Sequence, residues 1–236
     1  MFLELVRFRT MSFTCIPIHM GSHSRCQMTV DRREYRDGGE ISIDDPNDPL
    51  DLLSKWIQEA RENGVVEPNS MSLATVDASG APRNRMVLLK FLEGDEIGFF
   101  TNMESDKSVE IRALPSVSAT IWWPEMERQV RVEGRASEID RQRVEEYHSS
   151  RPRKSRIAAW ASDQSRTLGT REELLRKFED IESEFEGKEV PLPPFWGGFR
   201  ITVDRVEYWS GRPSRLHERV VLTRDGDSWS ERRLYP

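Results

Sequence analysis

The chain has 236 residues, with Lys+Arg 35 against Asp+Glu 41, a formal net charge of −6 and 36% hydrophobic residues. That length supports one large domain or two small ones. The negative balance argues against nucleic acid as a bulk electrostatic partner, and no apolar run approaches the ~20 residues of a membrane-spanning helix.

Residues 1–30 have no apolar period, no charged start before a continuous apolar stretch and no small-residue cleavage site. They are expected to form a disordered leader or an upstream extension of the natural start, with Met11, Met20 and Met28 as alternative starts. Both cysteines fall here, so no disulfide framework holds the body, and the expected location is cytoplasmic. The spacing of Cys15, His19, His23 and Cys26 matches no compact zinc finger, so no metal site is expected.

From residue 31 onward the chain reads as a single domain. Apolar residues at 50, 53, 56, 57 and 60 predict a helix that Gly64 closes. Strands are predicted over 71–76, 83–92, 96–101, 117–123 and 129–139, separated by turns such as Asp77-Ala78-Ser79-Gly80 and Glu93-Gly94-Asp95. Ser105 is placed to cap a short helix ended by Pro115. Further helices are predicted over 140–149, from Pro152, and from the capping box Thr170-Arg171-Glu172-Glu173 to Gly187. Runs at 199–203, 207–209, 215–223 and 228–234 supply the last strands. Consecutive strands on short turns, with helices inserted late, predict a mainly β fold: an antiparallel barrel with peripheral helices.

Several stretches carry more charge than such a fold needs. On a strand over 215–223, Arg215, His217 and Arg219 would share one face and repel each other unless an anion lay against them. Arg85 and Lys90 flank the apolar run Met86-Val87-Leu88-Leu89, with opposite strand parity, so they would face opposite ways unless a bulge intervened. Phe100-Thr101-Asn102 followed by Ser105, Asp106 and Lys107 offers a hydroxyl, an amine and free N–H groups at a helix start, which favour an anion. Arg151-Pro152-Arg153-Lys154-Ser155 combines a helix start, three cations and a hydroxyl, the set a phosphate monoester needs. Taken singly, each also reads as an ordinary solvated turn, cap or strand face.

Six segments taken in order, 85–90, 127–130, 150–153, 164–166, 194–199 and 215–219, together resemble the pyridoxamine 5'-phosphate oxidases, flavin enzymes that make pyridoxal 5'-phosphate. The resemblance runs from about Arg32 to Pro236. It implies an FMN-binding split β-barrel and a homodimer with flavin sites at the interface. By resemblance, FMN is held by Arg85 and the backbone after it, through Met86, Val87, Leu88, Leu89 and Lys90, by Phe100, Thr101 and Lys107, and by Gln129, Gln164, Ser165, Trp209 and Arg219. Lys90, Tyr147, Arg151 and Ser155 fall on the substrate phosphate, and Arg215 and His217 on the substrate ring. Residues 31–47 resemble a lid over the substrate, with Arg32 and Tyr35 as contacts. One departure stands out: Asp106 occupies a position where the family commonly has arginine. The implied reaction is oxidation of pyridoxamine or pyridoxine 5'-phosphate by molecular oxygen. A split-barrel flavoprotein acting on another substrate, and a non-enzymatic flavin or pyridoxal-phosphate carrier, are the rival readings; oxygen-dependent turnover separates the carrier from the oxidase.

Overall fold

The polypeptide of the computed structural model, described over residues 34–236, is organised by one nine-stranded antiparallel sheet. Residues of the leader, including Cys15, His19, His23 and Cys26, and Arg32, the first residue expected to contact the substrate, lie outside the described residues. Helix α1 (Asp51–Glu62) precedes β1 (Ser70–Val76), β2 (Pro82–Leu88), β3 (Phe91–Glu93) and β4 (Glu96–Asn102). Helix α2 (Asp106–Ala113), β5 (Ser116–Trp123) and β6 (Arg128–Glu138) follow. Next come α3 (Arg141–Ser150), α4 (Arg153–Ala161) and α5 (Arg171–Glu184), then β7 (Trp196–Ser210), β8 (Glu218–Asp225) and β9 (Ser228–Arg233).

The main path of the sheet is β2-β1-β5-β6-β7-β4-β3, so its two edge strands, β2 and β3, are consecutive in the chain. Only Leu89 and Lys90 join them. Seven strands laid flat would separate those edges by about 29 Å, whereas a three-bond step from Leu88 to Phe91 reaches about 10 Å. The sheet therefore curls into a barrel whose seam is this linker. The seam is not closed by a continuous ladder: Leu89 N–H donates to Asn69 O (2.9 Å) and Lys90 N–H to Gly98 O (2.8 Å). The sequence predicts one strand over 83–92, and the structure divides it here, so the parity argument relating Arg85 to Lys90 ends at Leu88.

Inside the barrel, alternate residues of the strands interdigitate, among them Met71, Leu73, Ile97, Phe99, Ile121, Val130, Val132, Phe199, Ile201 and Val206. Helix α1 adds Leu53, Trp56 and Ala60 to this core, with Trp56 edge-on to Trp123 and Tyr208. The Tyr208 hydroxyl is fully buried but satisfied, donating to Pro49 O (2.7 Å) and accepting from Leu53 N (3.1 Å).

Strand β7 is continuous where two strands are predicted. Its first half pairs with β4 and its second half with β8, while β6 pairs along most of its other edge. The exchange of partner occurs at a β-bulge: Glu133 pairs with Arg205 and Gly134 with Val203, leaving Asp204 unpaired. Gly134 is required there, because a Cβ would come within 2.1 Å of the Thr202 carbonyl oxygen. Gly134→Ala should therefore cost about 2–3 kcal/mol through backbone displacement, lowering the midpoint of thermal unfolding by several degrees. A midpoint equal to that of the unaltered protein would show that the bulge accommodates a methyl group.

Candidate active site

A cavity of about 530 Å³ opens beside the seam, between the ends of β2 and β4, the start of α2 and the α3–α4 turn. Met86, Val87, Leu88, Lys90, Phe100, Thr101, Lys107, Tyr147, Arg151, Ser155 and Gln164 all line it, so the structure brings together residues from five separate sequence stretches.

Its floor is aromatic. Phe100 stacks on Tyr147 (centroids 4.0 Å apart, 10° between planes) and lies parallel to Trp196 (5.6 Å, 4°). Trp196 starts β7 and belongs to a small second core with Ile139 and Val144. Asn102 of the 100–102 run, Trp196 of the 194–199 segment and Ser162 also face the cavity; the first two lie in segments that the sequence singles out without giving either a role, and Ser162 lies in none.

One wall holds Lys107, which is buried yet meets no carboxylate among the described residues. Its amine donates to Gln164 Oε1 (2.7 Å), Ser105 Oγ (3.0 Å) and Thr101 Oγ1 (3.2 Å). Burial, reinforced by the charge of Arg85, pulls its pKa down to about 8, against the opposing pull of Asp106 and Glu110. Ser105 sits at the α2 N-cap position, but its hydroxyl donates to Asn102 O (2.7 Å) and accepts from no backbone N–H of the helix. The expected side-chain cap is therefore absent. Asp106 lies in the first turn and is exposed.

The opposite wall carries Arg151 and Ser155, at the sharp joint between α3 and α4. Pro152 breaks the helical run there, as the sequence predicts, and occupies the N-cap position of α4. Beneath the joint, His148 is buried against the edge of Trp196 (5.4 Å), with Nε2 unbonded among the described residues. Burial, then the charges of Arg151, Arg156 and Arg141, depress its pKa to about 4, against a weaker opposing pull from Glu189.

Other residues of interest lie outside this cavity. Leu89 is buried in the core. The Arg85 side chain is bound to Glu110 (2.8 Å) and to Thr75, away from the cavity lining. Ser165 is exposed, with positive φ (70°). Gln129, Trp209 and Arg219 form one cross-strand row over β6, β7 and β8, and Trp122 of β5 extends it. The Trp122 and Trp209 rings approach to 5.7 Å. Arg219 grips the buried Glu207 through Nε (2.9 Å) and Nη2 (2.7 Å). Burial alone would raise the Glu207 carboxyl, but hydrogen bonds from Arg205 and Arg219 and the charge of Arg131 hold it below the usual range.

Arg215 and His217 do not alternate with Arg219 along a strand. Pro213–Arg215 is a 3-10 turn with Ser214 and Arg215 at φ 56° and 61°, and β8 begins only at Glu218. Left-handed backbone at two successive non-glycine residues breaks the extended run. The turn leaves Arg215 exposed and tips His217 onto Trp209 (4.7 Å) and the edge of Tyr35 (4.9 Å). His217 Nδ1 accepts from Arg212 N (3.1 Å), leaving Nε2 to carry the proton of the neutral ring. Burial and then the charge of Arg215 lower its pKa.

The segment carrying Tyr35 is strapped across this cluster. Arg36 N donates to Glu127 Oε2 (2.8 Å), Gly38 N to Gly211 O (2.8 Å), and Ser210 Oγ to Gly39 O (2.7 Å). Glycine at 38 permits the close approach, since a Cβ there would lie 2.5 Å from Ser210 Oγ.

With this geometry in place, the comparisons agree. Residues 57–185 match the pyridoxamine 5'-phosphate oxidase family, and residues 196–236 match the pyridoxine 5'-phosphate oxidase C-terminal dimerisation region. The chain belongs to the pyridoxamine 5'-phosphate oxidase family. It is 46% identical over 189 residues to the pyridoxine/pyridoxamine 5'-phosphate oxidase of Leptospira biflexa, covering 80% of this chain and 89% of that one. It is 44% identical over 205 residues to the protein of the same name from Rubrobacter xylanophilus, covering 87% and 94%. Among solved structures it resembles PhzG from Burkholderia lata 383, in complex with tetrahydrophenazine-1-carboxylic acid, with a TM-score of 0.77 and 27% identity over 82% of this chain and 95% of that one. An FMN-binding protein from Nostoc punctiforme shares the fold, with a TM-score of 0.66 and 18% identity over 80% of this chain and 97% of that one. The fold is thus the FMN-binding split barrel of this family, and its C-terminal dimerisation region points to a homodimer.

The buried His148 gives a pH signature. Its pKa is about 4 in the folded protein against 6.5 in an open chain, so the unfolded state takes up the proton first as pH falls. Stability is therefore lost between pH 6.5 and about pH 4, and below that window the loss levels off. Urea midpoints measured across this range should fall less steeply in His148→Leu than in the unaltered protein. Parallel slopes would place the acid sensitivity elsewhere.

Proposed function

We propose that the chain oxidises pyridoxamine 5'-phosphate or pyridoxine 5'-phosphate to pyridoxal 5'-phosphate, with FMN as cofactor and molecular oxygen as final electron acceptor. The amine substrate with oxygen and water gives the aldehyde, ammonia and hydrogen peroxide; the alcohol with oxygen gives the aldehyde and hydrogen peroxide. The observation that carries this reading is a single cavity with cations at two places, Lys107 and Arg151, neither paired with a carboxylate among the described residues. FMN and the substrate each bring a phosphate.

Lys107, Thr101 and Gln164 would hold the flavin phosphate, whose dianion replaces the neutral partners that now occupy the Lys107 amine. Met86, Val87 and Leu88 supply the adjoining wall. Lys90, Tyr147, Arg151 and Ser155 would hold the substrate phosphate. Bound FMN supplies the acceptor for the two electrons that leave the substrate carbon.

The row of Gln129, Trp209 and Arg219 is not part of this chain's own cavity lining, and we assign it to the flavin site of a second copy. Each site in the homodimer would then combine the cavity of one protomer with the row of its partner. His217 comes with that row. Its ring is pinned by Arg212, Trp209 and Tyr35, and its protonated Nε2 can donate to a substituent of the substrate ring. Arg215 beside it brings positive charge, and Tyr35, with Arg32, would close the site as a lid. These groups orient the substrate, the main contribution a protein makes to hydride transfer. No helix of the described residues is long and apolar enough to cross a membrane, and we place the enzyme in the cytoplasm.

The purified protein should be yellow and should bleach when pyridoxamine 5'-phosphate is added without oxygen. A colourless protein that FMN cannot reconstitute contradicts this reading. Arg151→Ala should mainly raise KM, because its phosphate contact is made equally in ground and transition states. His217→Ala and Arg215→Ala should lower kcat/KM with flavin content unchanged; flavin loss with normal turnover in excess FMN would move those residues to the cofactor.

Asp106 tests the cofactor end. It is exposed at the α2 start and adjoins Lys107, whose charge the flavin phosphate requires. Asp106→Arg replaces repulsion of the dianion by attraction, a change on the order of 1 kcal/mol or more at 4–6 Å, or about ten-fold in affinity. The gain should shrink as salt rises. Titrating apoprotein with FMN at two salt concentrations measures it, and an unchanged dissociation constant at low salt means that Asp106 serves only the helix start.

A further inference from the structure

We propose that Trp196 is a positioning residue for the substrate: its indole face fixes the Arg151 guanidinium while leaving the N–H groups of that guanidinium free for phosphate. This rests on the proposed function in taking the Arg151 wall as the substrate phosphate site.

The arginines around the α3–α4 joint show why Arg151 differs. Arg141 donates to Trp196 O (3.1 Å) and pairs with Glu145, and Arg143 binds Glu93. Arg153 donates to Lys188 O (2.7 Å) and Phe185 O, and Arg156 pairs with Glu189. Each has spent donors on a partner. Arg151 alone of this set has no carboxylate or carbonyl partner among the described residues, and its Nη1 is buried without a hydrogen bond. What holds it is Trp196, with the guanidinium carbon 4.7 Å from the indole ring.

The two ways of holding an arginine differ in what they leave over. A carboxylate would occupy the fork of N–H groups that a phosphate needs and would cancel the charge that attracts it. An aromatic face attracts the cation through the ring quadrupole and uses no N–H donor. The residue is thus oriented and still unsatisfied. Burial also lowers the Arg151 pKa, so an arriving anion relieves a desolvated charge.

Trp196 can do this because it is itself fixed. Its backbone is held in the β4–β7 ladder opposite Asn102 and by Arg141, and its ring lies parallel to Phe100 and Tyr147 with His148 against it edge-on. The same stack sets Tyr147, over whose ring the Lys90 amine lies at 5.9 Å. One platform therefore sets the geometry of the wall.

The test uses FMN-loaded protein. Trp196→Leu should raise KM for pyridoxamine 5'-phosphate on the order of ten-fold, the worth of a desolvated cation–π contact, with kcat changed less than about two-fold and flavin content unchanged. Trp196→Phe, keeping a smaller ring, should fall between. In an Arg151→Ala background the leucine substitution should add nothing, an interaction that a merely structural role would not produce. Inorganic phosphate titrated calorimetrically into the same holoproteins should follow the same order. The proposal is overturned if Trp196→Leu raises KM equally in the Arg151→Ala background, or lowers kcat at unchanged KM. Should the leucine variant lose flavin or fail to fold, the phenylalanine variant decides, and the KM of the unaltered protein in that variant refutes the proposal. If the unaltered protein gives no turnover, the proposed function has failed, and the phosphate titrations still decide the role of Trp196.

Discussion

A two-residue linker governs this molecule. Leu89 and Lys90 join the strands at opposite edges of the sheet, and a link that short leaves the sheet no option but to curl. Curling places the end of β2 beside β4 and so creates the mouth in which the cavity lies. The two linker residues divide the work. Leu89 turns into the core and anchors the seam, whereas Lys90 is exposed at the mouth and lines the cavity. The closing constraint of the barrel and a cation of the site are thus neighbours in sequence.

A second constraint, the bulge at Asp204, does for β7 what the linker does for the edges. By bending β7 it lets one strand serve β4 with its first half and β8 with its second. The first half brings Trp196 under the cavity, and the second carries Trp209 and, through β8, Arg219, neither of which lines it. One chain thus carries both sets of residues without joining them, and the proposed sharing of a site between two copies rests on this division. The buried carboxylates Glu110 and Glu207 belong to the same design, tying down Arg85 and Arg219.

Legibility in the sequence tracked the range of the interaction. Helix α5 begins where the Thr170 capping box places it, with Thr170 Oγ1 accepting from Glu173 N, because a cap is decided within four residues. Strands β1, β4, β5 and β6 were legible within a residue at each end from alternation alone. The single strand over 83–92 and the pair over 199–203 and 207–209 were misread, because a seam and a bulge are imposed by strands distant in sequence. The strand over 215–223 failed for a local reason that propensity does not flag: Ser214 and Arg215 are left-handed without being glycine. Within the site, the cations on helix starts were visible as excess charge. The roles given to Gln129, Gln164 and Trp209 came from the family resemblance. Glu110 and Glu207 escaped, and Trp196, though inside the family-like 194–199 segment, had no role, because a buried aromatic or carboxylate announces nothing until its partner is known.

The cavity also explains what the free protein gives up. Lys107 is buried against neutral oxygens, and the half-buried Arg151 lies against an indole. Each costs desolvation free energy that a carboxylate partner would offset. Elsewhere the same fold supplies such partners freely, as Arg200 with Glu96 and Arg205 with Glu133 and Glu207 illustrate. Their absence from the cavity is therefore a property of the site and not of the composition. An internal counter-ion would stabilise the empty protein and would have to be expelled before phosphate could enter. Leaving the cations unpaired shifts that stabilisation to the liganded state, so binding of a phosphate-bearing ligand adds to folding stability by mass action. The exposed Asp106 marks the limit of this arrangement. A carboxylate one residue from Lys107 helps to keep the amine charged, opposing the burial that would neutralise it, at the cost of some repulsion toward the dianion the amine would bind.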